Sequence, residues 1–463
     1  TTVTPAIAFV DLATFDELAA YLYGGALAVT YFVRSVKKAN WFSFVPTGLR
    51  HVSGTPDFGQ EFSASINRSG DYVLNVWLRV KVPKIYIDLQ DTGAHMRWTH
   101  NFMHNLIKKV NITFNELQIQ EFDNSWLDFN HYFRTSASKR VGYDTMIGEV
   151  SAMLSPVAGG ATASTTGLLG TGGYFNLPLP FFFCEDSGIA LPVAALPFND
   201  IKINYCLRDW KDMLVTSTTT TTTRDQILSA VTMQDASTPG VKLTSVETLA
   251  HYAVIHNDER VLMGKAPRDM HIHQVQILQE QAFPYVAGTE TSYDLRFSHA
   301  VHFLAFGAKN VTVRGEHSQW STNKETSDIT DFMDVDLNTF DPISHAKLIY
   351  ENTDRVDMGS DYYSTVVPWY WCDAIPDVSG IHGYSYSLEA FGLDPKGSTG
   401  YSKLANVSIC VTTSDAAASP VPMPTGTSNH GHTETTPKYR FKLYARNHNI
   451  VRLSGGSLGL PVL

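Results

Sequence analysis

Two stretches of this chain are echoed further along it at nearly one spacing, and that repetition restricts the fold more than any other feature. Pro180-Phe-Phe-Phe-Cys184 returns 188 positions later as Pro368-Trp-Tyr-Trp-Cys372. Tyr252-Ala-Val-Ile-His256-Asn257-Asp-Glu-Arg260 returns 192 positions later as Tyr444-Ala-Arg-Asn-His448-Asn449-Ile-Val-Arg452. Between them, Leu196 to Asn199 with Ile203 and Cys206 loosely parallels Leu404 to Asn406 with Ile409 and Cys410. Two echoes in the same order describe a tandem pair of domains of about 190 residues, each long enough for its own core, unlike a solenoid unit. A boundary is expected near Gly264.

Within each copy the dominant pattern is the short strand. Asp71 to Pro83 alternates Leu74, Val76, Leu78, Val80 and Val82 with polar neighbours and stops at a proline, as a half-buried strand does. Further strand-like runs are Val110–Leu117, Asp200–Leu207, Ser245–Ile255, Met270–Leu278, Tyr293–Ala308, Leu404–Thr412 and Tyr439–Leu453. Helical signals are confined to the amphipathic stretch Asp11–Tyr23, to Ser125–Phe133 and to Asn257–Met263, each too short to layer a parallel sheet. The fold class is therefore all-β, built from sandwiches with short helices and long surface loops. Ala158–Gly173, Thr216–Thr223 and Asp415–Pro437 are polar and poor in large apolar side chains, so they read as exposed loops.

Charge and cysteine usage narrow the function. The formal net charge is −10, and neither end carries a basic arm; the densest basic patches, Arg34–Lys38 and Lys108–Lys109, are short. Direct nucleic-acid binding, which needs a basic stripe, is not expected. Cys184, Cys206, Cys372 and Cys410 are widely spaced in apolar runs and read as reduced, buried thiols of a cytosolic product. Leu18–Val33 falls short of the ~20 residues that a spanning helix needs. It also lacks the basic flank of a signal peptide. A first residue other than Met is read as processing or trimming.

No constellation reads as catalytic, and no cofactor is expected. His100-Asn-Phe-Met-His104 has the spacing of a zinc protease motif, but Asn101 stands where the general-base Glu is required. His271 and His273 share one strand face, but no third ligand accompanies them, so they read as exposed-face histidines and no metal site is expected. Gly455-Gly-Ser457-Leu-Gly459 has the nucleophile-elbow pattern without a following helix, acid or histidine. Asp334 with Asp336 reads as a solvated loop face, and the sequons at Asn67, Asn111, Asn310 and Asn406 read as structural. A carbohydrate-active double-β enzyme would need paired carboxylates in a cleft. A lectin-like module would need aromatic platforms in loops that are dominated by Thr, Ser, Gly, Ala and Pro.

Longer motifs carry a resemblance. Phe58–Ser63, Arg68–Tyr72, Trp98–Ile107, Ser138–Asp144, Asn176–Phe183, Leu295–His299, Leu348–Thr353, Asp394–Thr399 and Ser454–Leu463 together resemble the major capsid proteins of iridoviruses, and more distantly those of other nucleocytoplasmic large DNA viruses. The resemblance spans nearly the full chain. It departs at a shortened leader, in the three loops and at Glu185, where the family pattern has Arg.

It implies two tandem eight-stranded jelly rolls, an arm over residues 1–50, a first jelly roll over 51–264 and a second over 265–463. It also implies a homotrimer forming pseudo-hexagonal capsomers in the virion, assembled in the host cytoplasm. Partners would be neighbouring capsomers and minor capsid and penton proteins, with the arm near an inner membrane. Phe181–Phe183 and Trp369–Trp371 are expected in the domain core or as interface anchors.

Overall fold

The computed structural model describes residues 13–26, 28–34, 36–89, 93–159, 168–218, 222–234, 240–265, 267–322, 340–418 and 437–460. The chain divides into two units, Thr1–Trp41 and Phe42–Leu463. In the first, a short helix α1 (Glu17–Leu22) is capped by Asp16, whose carboxylate accepts the Ala19 N–H at 2.7 Å. No residue of α1 is buried, and Leu18, Tyr21 and Leu22 are exposed. Among the described residues no helix is long and apolar enough to cross a membrane.

The second unit is built on sixteen principal strands. These are β1 (Phe42–Gly48), β2 (Glu61–Ser65), β3 (Tyr72–Lys81), β4 (Ile107–Phe114), β5 (Leu117–Asp123), β6 (Tyr174–Pro178), β7 (Ile201–Leu207) and β8 (Ser245–Ile255). There follow β9 (Arg268–Ile277), β10 (Glu290–Asp294), β11 (Ala300–Asn310), β12 (Ile343–Tyr350), β13 (Thr353–Gly359), β14 (His382–Ser385), β15 (Val407–Thr413) and β16 (Tyr439–Ser454).

The first eight form sheets ordered β1-β8-β3-β6 and β2-β7-β4-β5, with Arg50–Gly54 as an extra edge beside β2. The last eight form β9-β16-β11-β14 and β10-β15-β12-β13. Adding eight to each label of the first pair of sheets gives the second pair. The ladders between these strands are antiparallel. This is a double jelly roll.

The equivalence sorts the two echoes. Tyr252 and Tyr444 lie on the equivalent strands β8 and β16, and Cys206 and Cys410 on β7 and β15, although the matching bulges align Tyr252 with Asn447 rather than with Tyr444. The proline–aromatic–cysteine echo does not fall on equivalent elements: Pro180–Cys184 follows β6, whereas Pro368–Cys372 precedes β14, the counterpart of β6. The arm is also shorter than expected, because β1 begins at Phe42 and pairs with β8 from Phe42↔Ile255 to Gly48↔Leu249.

Two strand readings change in detail. On β3 the pairing with β8 passes from His251↔Asn75 to Tyr252↔Val73, so Leu74 is an unpaired bulge residue. The core set is thus Val73, Val76, Leu78 and Val80, with Leu74 half-buried. A bulge shifts the alternation by one, which no regular pattern anticipates. The expected single run Tyr293–Ala308 is two strands, broken ahead of β11 at His299, whose φ of 63° is left-handed.

The core has two parts. One lies inside the second sandwich, among Phe283, Tyr293, Leu304, Phe306, Leu348, Val411, Phe441 and Leu443. The other fills the first sandwich and runs on into the second half through Phe303, Ala305, Trp320, Tyr444 and Val451. The sheet β9-β16-β11-β14 is therefore packed on both faces, and ten of the eleven residues of β11 are buried.

Helix α2 (Phe102–Leu106) and helix α3 (Asn124–Arg134) supply much of this contact. Phe129 of α3 meets Trp320 at 4.7 Å and Tyr444 at 5.6 Å between ring centroids, and Phe133 meets Phe303 at 5.3 Å. Each large side chain buried this way contributes roughly 1.5–3 kcal/mol. Gly380, at φ +85°, lies where a Cβ would come 2.0 Å from the Trp320 carbonyl oxygen, so only glycine lets the chain pass.

Candidate functional site

Where α3 and the segment after β6 meet the second half, apolar packing gives way to buried charge. Asp123, the N-cap of α3, accepts the Tyr444 hydroxyl at 2.8 Å and lies 3.1 Å from Lys442 Nζ. Glu185, brought in by the turn after Phe181–Phe183, accepts from Arg446 at 2.5 Å and lies 2.8 Å from His273 Nδ1. Arg446 is buried and also donates to the Ala390 carbonyl at 2.9 Å.

Burial alone would raise the Glu185 carboxyl, but Arg446, His273 and Arg134 overcome it and hold it at about 2. Lys309, near the end of β11, pairs with no carboxylate among the described residues. Burial, with Lys442 and Arg208 nearby, pushes its ammonium down to about 7. Ion pairs taken out of water in this way add little net stability, but removing one partner leaves an uncompensated buried charge.

On the same face stands a cluster of imidazoles. His271 and His273 point one way from β9, and His448 on β16 is the direct cross-strand partner of His273. His302 joins them because β11 bulges at that position, its pairing with β16 stepping from Val301 to Phe303. Ring centroids are 4.8 Å apart for His271–His448, 5.0 Å for His273–His448 and 4.3 Å for the stacked His302–His448 pair.

His271, His273 and His448 each offer a ligand atom, all within 4.8 Å of one another. The sequence reading of His271 and His273 lacked a third ligand. Strand pairing supplies it from a residue 175 positions away, which periodicity cannot see. Burial and then its neighbouring imidazoles and Arg446 bring His448 down to about 4, and burial likewise lowers His271, His273 and His302.

The other sequence candidates are dispersed. His104 is buried, with Nδ1 2.8 Å from Asp128 and Nε2 2.9 Å from the Tyr143 hydroxyl, while His100 Nδ1 lies 2.5 Å from Glu149. Gly455 and Gly456, at φ 61° and 80°, form the hairpin turn between β16 and Ser457–Gly459. Asn310 is buried and donates to the Ser321 carbonyl, Asn67 accepts the Tyr252 hydroxyl, Asn111 accepts from Asn204, and Asn406 donates to Glu351.

The four cysteines are unbridged, but only Cys410 is fully buried; the other three are intermediate. Phe181–Phe183 are core residues, whereas Trp369 and Tyr370, on a short helix α4 (Val367–Trp371), are 70% and 67% exposed. The core reading thus holds for the first aromatic run and fails for the second. Thr216 begins no loop: it is buried on the strand Leu214–Thr218. Asp334, Asp336 and most of Asp415–Pro437 lie outside the described residues, as does the middle of Ala158–Gly173.

Comparison with known proteins agrees with this architecture. Residues 30–252 match the family model described as "Major capsid protein N-terminus", and residues 259–459 match "Large eukaryotic DNA virus major capsid protein". The chain is 43% identical to the major capsid protein of Costelytra zealandica iridescent virus and 44% identical to that of Invertebrate iridescent virus 3, with 98% of both chains covered in each case. Among solved structures, a chain of the PBCV-1 virus capsid superposes with a TM-score of 0.71 at 18% identity, over 94% of this chain and all of that one.

Proposed function

Because the chain belongs to the iridovirus branch of the large eukaryotic DNA virus major capsid protein family, we propose that three copies associate into a pseudo-hexagonal capsomer that tiles the outer shell. The observation that carries this reading is the strand order repeated with an offset of eight. Two like sandwiches per chain and three chains per assembly give six near-equivalent blocks. A threefold object then packs hexagonally, and one gene product covers most of a large closed surface.

The first sandwich runs from Phe42, where β1 enters the sheet, to Gly264, and the second from Lys265 onward. Exposed Phe42, Phe44, Trp369 and Tyr370 suit permanent contacts between subunits, which in obligate assemblies bury roughly 2,000–5,000 Å2. The apolar side chains along Phe15–Trp41 suit minor capsid proteins and an inner membrane, and the polar loops suit the outer face and the contacts with neighbouring capsomers and pentons. The acidic net charge of −10 suits a shell that does not itself bind the genome. The role is structural rather than catalytic, in a subunit assembled in host cytoplasm.

Mass photometry of the purified full chain tests this. A species of three times the 51.3 kDa protomer mass, persisting at nanomolar concentration, is expected. A monomer under those conditions overturns the capsomer reading.

A further inference from the structure

We propose that His271, His273 and His448 bind a divalent transition-metal ion of the zinc class, which staples β9 to β16 where the two halves of the chain meet. The three side chains offer ligand atoms that all lie within 4.8 Å of one another. Nitrogens bound at about 2.0–2.1 Å in a tetrahedral site stand roughly 3.3 Å apart, so small rotations about the side-chain torsions close the set.

The ligand atoms are waiting. His273 Nε2 and both ring nitrogens of His448 are buried with no hydrogen-bond partner. Burying such atoms unmet is unfavourable, and a metal ion answers lone pairs that no donor reaches.

The surroundings fit as well. Glu185 sits 2.8 Å from His273 Nδ1, the carboxylate–imidazole arrangement that holds a metal-bound histidine in one tautomer. His273 Nδ1 also lies 2.8 Å from Arg446 Nη2, and in the tautomer that donates Nδ1–H to Glu185 the Nε2 atom carries its lone pair into the cluster. His271 is likewise held by the backbone at Leu393.

The charged groups facing the cluster are Glu185, Arg446 and Arg134, the last 3.8 Å from Glu185, together with Asp394 beside His271. Glu185 is engaged by the two guanidinium groups and His273, so the ligand shell is imidazole alone. Such a shell favours zinc, nickel or copper over calcium or magnesium, which take oxygen ligands. Three protein ligands leave a fourth position open to water, beside the stacked ring of His302.

The test titrates ZnCl2 into the EDTA-stripped, dialysed full chain at pH 7.5 by calorimetry, with Co2+ as a spectroscopic probe of coordination. One Zn2+ per chain is expected, with affinity at least tenfold weaker in His448→Gln and in His271→Gln. Binding should be unchanged in His345→Gln, which alters a more exposed histidine on β12. Circular dichroism and the assembly mass confirm folding; should His448→Gln not fold, the half-buried His271→Gln gives the same comparison. Absence of stoichiometric binding by the native chain, or equal binding by His271→Gln, overturns the site.

Discussion

Replacing Lys309 with methionine should make the protein more stable, and more so at neutral than at alkaline pH. Lys309 is buried near Lys442 and Arg208, and its ammonium is brought from 10.5 to about 7. Between those two values the unfolded chain binds a proton that the folded chain largely does not. Stability of the native chain therefore rises with pH across this window and is flat below it. At about 1.4 kcal/mol per pH unit, the penalty at pH 7 amounts to about 4 kcal/mol.

Methionine keeps the length of the side chain and removes the charge, so Lys309→Met should recover about 2–4 kcal/mol at pH 7. At pH 10 the gain should fall to about 1 kcal/mol or less. Calorimetric melting of both proteins at pH 7 and pH 10 reads this as a Tm difference of a few degrees that shrinks with pH. A variant that melts no higher than the native protein at pH 7, or whose advantage is the same at both pH values, refutes the reasoning.

Other substitutions probe the core, the seam and the surface. Phe181→Ala removes a fully buried ring and should cost about 3–5 kcal/mol in urea unfolding. Glu185→Gln strands Arg446 and should cost about 3–5 kcal/mol at pH 7. Because the carboxyl is held at about 2 against an ordinary 4.5, its contribution is present above pH 4.5 and is lost as pH falls through about 2. The native and variant acid-unfolding curves should converge in that window. Trp369→Ser with Tyr370→Ser should change protomer unfolding by no more than about 0.5 kcal/mol, since both rings face solvent. The same pair should weaken trimerisation at least tenfold, measured by sedimentation.

The sequence disclosed the strands whose apolar residues alternate over many positions, and Ser245–Ile255 coincides with β8. Short strands such as β2, β6 and β14 carry too few residues for a period to register. The helix Ala137–Ile147 escaped because only Ile147 is buried, leaving no apolar stripe to read. The Tyr252 and Tyr444 echo marked equivalent strands, while the aromatic echo matched composition without matching place. Trp369 looks like Phe181 in sequence and differs only in what covers it. The imidazole cluster was half legible, since alternation paired His271 with His273. His448 enters through strand order and His302 through a bulge, and neither is a local property of the chain.

The position of β16 carries a consequence for synthesis. It is the last long strand of the chain, yet it sits between β9 and β11 and pairs with both. Until residues 439–454 leave the ribosome, β9 lacks its partner and β11 is paired on one edge only, with β14 and Thr399–Gly400. Nascent chains must therefore be shielded from one another until β16 emerges, and a stop codon ahead of residue 439 would release polypeptide with unpaired strand edges.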